Sequence, residues 1–165
     1  MGIGQPTIEP LLASAKPEDV RDASPAKLYA TLVGGVLAIT GIVGFFYSAS
    51  FASPGEVDDA LGLFGVNGWH NLVHVVTGAI GLLVAGVAAR RYAFWLGVAY
   101  LAVALWGFIL GDGESILGFM PIDTEDNLLH LALGLLGVAA ALGTPKAVSS
   151  PAPPGADPGR RSAPG

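Results

Sequence analysis

Four stretches of this chain contain no Asp, Glu, Lys or Arg: residues 28–55, 60–89, 92–111 and 127–145. A helix rises about 1.5 Å per residue and needs about 20 apolar residues to cross a hydrocarbon core of roughly 30 Å. Each stretch can supply one such helix and none is long enough for two. The spacing predicts helices at about residues 28–48, 69–89, 92–110 and 127–142. A soluble bundle would keep a polar face toward water at a 3.6-residue period. The segment from Leu32 to Phe46 has no such face. Only 13% of the 165 residues are charged, against 52% hydrophobic, and that is about half the charge of an average soluble domain. The expected class is all-α: an integral membrane four-helix up-down bundle with the lipid bilayer as its partner.

Orientation follows from the basic residues. All eight lie in three places: Lys16, Arg21 and Lys27 before the first span, Arg90 and Arg91 between the second and third, and Lys146, Arg160 and Arg161 after the fourth. The two remaining loops are acidic, with Glu56, Asp58 and Asp59 in one and Asp112, Glu114, Asp123, Glu125 and Asp126 in the other. Basic residues beside spans stay in the cytoplasm, which places both termini inside a cell membrane and the acidic loops outside. Tyr29, Tyr92 and Trp95 then fall at the inner interface, and Tyr47, Trp69 and Trp106 near the outer one. The net charge of −5 describes an acidic outer face.

Residues 1–26 and 144–165 are rich in Pro and polar residues and read as flexible cytoplasmic tails around a membrane domain at 27–143. The polar leader and long first span fit poorly with a cleaved signal peptide. Zero cysteines exclude disulfides, zinc ribbons and thiol catalysis. The serines lack a base placed by motif, the glycines lie inside spans rather than in a phosphate-binding loop, and no basic aromatic groove exists for nucleic acid. The chain is expected not to be an enzyme.

The spans are internally related. At an offset of 56 residues, Glu56 and Asp58 fall on Asp112 and Glu114, Leu61-Gly62 on Leu117-Gly118, and Val66-Asn67 on Ile122-Asp123. Asn71, Leu72, His74, Gly78, Gly81 and Ala85 fall on Asn127, Leu128, His130, Gly134, Gly137 and Ala141. A period of this length signals duplicated units. Each unit is one hairpin, residues 28–89 and 92–143, made of an outgoing span, an acidic outer loop and a returning span. Two spans per unit leave both copies with the same topology, so a pseudo-two-fold axis along the membrane normal is expected.

The doubled pattern L-G-x-x-x-[VI]-[ND]-x-x-x-N-L-x-H-x-x-x-G-x-x-G, starting at Leu61 and again at Leu117, resembles the domain of unknown function 4383 family. The resemblance covers about residues 27–143. It implies a small four-span membrane protein of a kind found mainly in actinobacteria, and it implies no activity.

The repeated positions of the second span are spaced 3-4-3-4, so Asn71, His74, Gly78, Gly81 and Ala85 form one stripe on one helix face. Asn127, His130, Gly134, Gly137 and Ala141 repeat it. Small residues let helix backbones approach closely in lipid. The stripes are expected to face the bundle interior and to meet across the axis. Asn71 and Asn127 are expected to cap the returning helices, with His74 and His130 one turn deeper bonding to the opposite hairpin.

Two other roles compete for these polar residues. His74 and His130, with His70 four residues before His74, could ligate haem or a transition metal. The glycine stripes argue against haem, because a macrocycle needs a wide gap. Alternatively, Glu56, Asp58, Asp112 and Glu114 could bind a divalent cation at the outer face, although neither loop has EF-hand spacing. The favoured expectation is a structural or accessory membrane protein with no cofactor, metal or nucleic acid assigned. Self-association and protein partners stay open.

Overall fold

The computed structural model describes residues 24–52, 58–60 and 64–146. Among the described residues the fold is all-α, with four helices: α1 (Pro25–Gly44), α2 (Gly68–Val84), α3 (Ala89–Leu110) and α4 (Thr124–Gly143). Between α1 and α2 lies an antiparallel pair, β1 (Asp58–Ala60) with β2 (Phe64–Val66). Between α3 and α4 lies a second pair, β3 (Ser115–Ile116) with β4 (Met120–Pro121). Strands this short fall below any periodicity window, so the sequence presents them as plain loops. The second pair turns at Leu117 (φ 54°) and Gly118 (φ 75°), two consecutive left-handed residues. Only glycine takes that conformation without cost, which explains the Gly of the motif's Leu-Gly step, while Leu117 adopts it at some strain. Its counterpart, Leu61-Gly62, is outside the described residues.

Local signals set the helix starts. Ser24 accepts from the Lys27 amide and Pro25 fills the first helical position, where a missing N–H costs nothing. The expected N-terminal tail therefore ends two residues earlier than composition suggested, and the rest of it is outside the described residues. The first residue after α4 is also tied down. Thr144 Oγ1 accepts from the Ala26 amide at 2.9 Å and donates to Ala140 O at 2.7 Å, linking the start of α1 to the end of α4.

α1, α3 and α4 are long and apolar enough to cross a membrane, and α2 is a shorter apolar helix of 17 residues. α2 stops at Val84, not at residue 89, because the Val87 and Ala88 amides turn back onto Val84 O. An uncharged run holds no charge signal for that turn. α3 consequently begins at Ala89, and Arg90 and Arg91 stand in its first turn, not in the connection. Arg90 Nε donates to Ala141 O at 3.0 Å, satisfying a carbonyl at the C-terminal end of α4. Large apolar side chains such as Ile39, Leu83, Val87, Ile109 and Leu142 face outward. An outward surface of this kind suggests membrane association.

The helices pack as α1 on α2 and α3 on α4. A methyl group at Gly34 would stand 3.0 Å from Gly78 O, and one at Gly97 would stand 2.9 Å from Gly134 O. Backbone therefore touches backbone at both places. The two small-residue stripes approach each other at His74 and His130, whereas at these glycines each stripe meets the outgoing helix of its own hairpin. The reason is visible on α1 and α3. Their own glycines, Gly34, Gly41 and Gly44 on α1 and Gly97 and Gly107 on α3, supply the matching hollows.

The two helix pairs meet through tyrosines. Tyr29 of α1 donates to Leu133 O at 2.9 Å and lies on Gly137 of α4. Tyr92 of α3 donates to Thr77 O at 3.0 Å and lies on Gly81 of α2. Thr77 and Leu133 are 56 positions apart, as are Gly81 and Gly137, whereas Tyr29 and Tyr92 are 63 apart. Gly34 and Gly44 correspond to Gly97 and Gly107 at the same larger offset. α1 and α3 thus align seven residues out of step with α2 and α4, because the α1–α2 connection is longer than the α3–α4 one. Ala26, Ala30, Ala89 and Ala93 join both tyrosine helices in the buried core.

Candidate metal centre

Both returning helices start on a side-chain cap. Asn67 Oδ1 accepts from the His70 amide at 2.9 Å, and Asp123 Oδ1 accepts from the Asp126 amide at 2.6 Å. The caps are thus Asn67 and Asp123, four residues before the expected Asn71 and Asn127. An extended residue immediately before the first helical turn is the one whose side chain can reach its amides. Each cap also holds the other hairpin. Asn67 Nδ2 donates to Phe119 O at 2.6 Å, and Asp123 Oδ2 accepts from the Gly65 amide at 2.7 Å.

Asn71 and Asn127 are instead buried inside the first turns. Asn71 Nδ2 donates to Ser48 O at 2.8 Å, and its amide fills the hollow at Gly44. The Asn127 amide fills the equivalent hollow at Gly107. Gly78, Gly81, Gly134, Gly137 and Ala141 are all buried on the stripe as expected, whereas Ala85 is the partly buried C-cap of α2.

One turn below the caps, three histidines converge. His70 and His74 come from α2 and His130 from α4, and one ring nitrogen from each lies within 4.8 Å of the others. His70 Nε2 and His74 Nε2 are 3.2 Å apart, with ring centroids at 4.4 Å. His130 is 6.3 Å from His74 and 6.4 Å from His70 between centroids. Asp126 completes the group. Its Oδ2 lies 3.8 Å from His70 Nε2 and 3.5 Å from His130 Nδ1, the latter too poorly aligned for a hydrogen bond. The Tyr100 ring stacks on His130 with centroids 4.8 Å apart. His70 Nδ1 and His130 Nδ1 are buried without a hydrogen-bond partner, an arrangement that costs about 1–3 kcal/mol for each group.

Sequence reading finds His74 and His130 as a pair and His70 as a further ligand on the same helix face. It misses Asp126, which stands at the offset-56 position of His70 but carries a different letter, and it misses Tyr100, which no motif marks. Among the described residues this is the one group of three or more His, Asp or Glu side chains spaced for a metal ion. Of the expected acidic site, the structure describes the side chains of Asp112 and Glu114. Asp112 Oδ1 accepts from Thr124 Oγ1 at 2.8 Å, and Glu114 O accepts from the Ile122 amide. Glu56 and the Asp58 side chain are outside the described residues.

No curated protein and no solved structure matches this chain. A protein-family model matches residues 27–143, all four helices except the first two residues of α1. The chain belongs to that family, the domain of unknown function DUF4383.

Proposed function

We propose that this is a multi-pass membrane protein, two copies of one helical hairpin packed as an up-down bundle, that binds a transition-metal ion at its outer end. The ligands are His70, His74 and His130. Both termini are cytoplasmic and the acidic loops face outward, in a cell membrane. The role is accessory: the chain holds an ion and carries no catalytic machinery of its own. The exchanged contacts of Tyr29 and Tyr92 support the duplication, since each joins one hairpin to the other at equivalent places.

The observation that carries the metal reading is the convergence of three imidazoles from two helices with a carboxylate behind them. Neutral imidazole suits zinc, copper, nickel and iron, and a three-histidine set with an open position is a familiar zinc arrangement. Ligand nitrogens about 2.0–2.1 Å from zinc at tetrahedral angles stand about 3.3–3.4 Å from each other. His70 and His74 are already at 3.2 Å, and His130 must move by about 1 Å. Asp126 fits the carboxylate that orients a ligating histidine or supplies the fourth ligand. The Asp126 carboxylate offsets the two helix N-termini, about +1 elementary charge together, that would otherwise oppose a cation. Haem fits poorly, because His70, 4.4 Å from His74 between centroids, stands where the macrocycle of a His74–His130 pair would have to lie.

The test is elemental analysis of protein purified in mild detergent without added metal, followed by zinc titration of the chelator-treated sample. One ion per chain, lost in H74A and H130A variants that keep their helical circular dichroism, supports the reading. A wild-type sample that neither retains nor takes up one equivalent of zinc, copper, nickel or iron defeats it.

A further inference from the structure

A cavity of about 360 Å³ opens beside the histidines. Its floor is the compact polar group of His70, His74, His130 and Asp126, and its walls are apolar, drawn from α1, α4 and the β1–β2 pair. The mouth faces the surroundings, not the core. Val36, Ile39, Val43 and Leu129 line it and are themselves about half exposed, between 46% and 63%. In a bilayer that mouth opens to lipid. A ligand therefore enters sideways from the outer leaflet with its apolar part along α1, and its head meets the histidines.

The lining also restricts the head group. Among the described residues it contains no Lys or Arg, so only the histidine-bound ion could neutralise a phosphate or carboxylate, and the Asp126 carboxylate beside it opposes an anion. A cationic head would meet the histidine-bound ion. Thr40 Oγ1 and Asn71 Nδ2 are already used, donating to Leu37 O and Ser48 O. The histidine group, with the unpartnered Tyr100 hydroxyl and that of Tyr47, is left to receive a head. From Val36 to Gly44 the wall along α1 runs about 12 Å, enough for one chain of medium length. The volume is at the lower end of about 300–1,000 Å³ for small-molecule sites.

We infer that this cavity binds a single-chain amphiphile with an uncharged oxygen head, an alcohol or a carbonyl, taken from the outer leaflet. The head fills the open side of the three-histidine group, and that contact rests on the metal reading. The tail contacts along Val36, Thr40, Val43 and Leu133 do not.

The experiment uses the full chain in phosphatidylcholine nanodiscs, photolabelled with a diazirine-bearing analogue of 1-dodecanol and, separately, of dodecanoate. Labelled residues are mapped by peptide mass spectrometry, and metal content is measured on the same discs. The alcohol probe should label positions within 36–47 and 129–133, with unlabelled 1-dodecanol competing. Val43→Trp and Leu129→Trp, which fill the mouth from opposite walls, should each cut labelling about tenfold, a loss of near 1.4 kcal/mol in binding. The dodecanoate probe should label weakly. Three outcomes overturn the inference: labelling spread evenly over outward residues such as Leu83 and Val87 and unaffected by either variant, equal labelling by dodecanoate, or a cross-linked dimer through the mouth. Loss of the ion with alcohol labelling intact would sink the metal reading alone. A retained ion with unselective labelling would sink the cavity reading alone.

Discussion

His70 and Asp126 occupy the same position of the two returning helices, 56 residues apart, and their side chains lie 3.8 Å from each other. One hairpin thus places a base where the other places an acid. One turn further on both hairpins carry histidine, as His74 and His130. The result is three imidazoles and one carboxylate around one point, an asymmetric group between two similar helix starts.

The carboxylate should matter to an ion without being indispensable to the fold. Asp126→Asn should weaken zinc binding by about 10–100-fold, the usual effect of removing a carboxylate behind a ligating histidine. Competition titration against a chromogenic chelator measures it. The variant should keep its helix cap, because Asp123 bonds to the backbone amide of residue 126 and not to its side chain.

Binding at this centre should stabilise the protein measurably. At free zinc of 100 times the dissociation constant the gain is about 2.7 kcal/mol. Thermal unfolding in detergent should shift upward with zinc in the wild type and not in His130→Ala.

The glycines divide sharply by position. Gly78→Ala should destabilise by about 1–3 kcal/mol, because its methyl would collide with Ala38 and Gly34 backbone atoms that cannot move aside. Gly35→Ala, on an open face of the same helix pair, should be neutral or stabilise by about 0.4–1 kcal/mol. Melting temperatures of the two variants compare them directly.

Tyr29→Phe and Tyr92→Phe should cost about the same, roughly 0.6 kcal/mol each, the mean for a hydrogen bond between membrane helices. A large loss for one and none for the other would contradict the exchanged symmetry of these contacts.

Membrane orientation has its own check. Single cysteines at Glu56 and Asp112 should react with an impermeant maleimide on intact cells, and one at Lys146 should react only after lysis. Reaction of Glu56 and Asp112 from opposite sides would overturn the two-hairpin topology.

The helices were legible because charge-free runs and the 3-4-3-4 spacing are local patterns, present in the letters themselves. Their ends were less so. The turn after Val84 is made by backbone amides alone, and nothing in Ala85-Gly86-Val87-Ala88 differs in hydropathy from the helix before it. The caps misled because Asn71 and Asn127 match in type, whereas the true caps, Asn67 and Asp123, pair an amide with an acid. The partner of each stripe was hidden for a different reason. The outgoing helices repeat at 63 residues and the returning ones at 56, so no single offset aligns both. Tyr29 with Tyr92, Gly34 with Gly97 and Gly44 with Gly107 carried that second offset in plain view. Asp126 was unreadable as a ligand partner until the fold brought α2 and α4 together at their outer ends.

The double use of each cap side chain has a mechanical consequence. Asn67 and Asp123 each start their own helix and clasp the opposite loop, so the two halves of the molecule cannot part at this end without unwinding the turns that carry the histidines. The helix starts that carry the imidazoles are therefore held beside each other before anything arrives. Whatever enters between them has only to draw in a side chain, not to assemble the backbone around it.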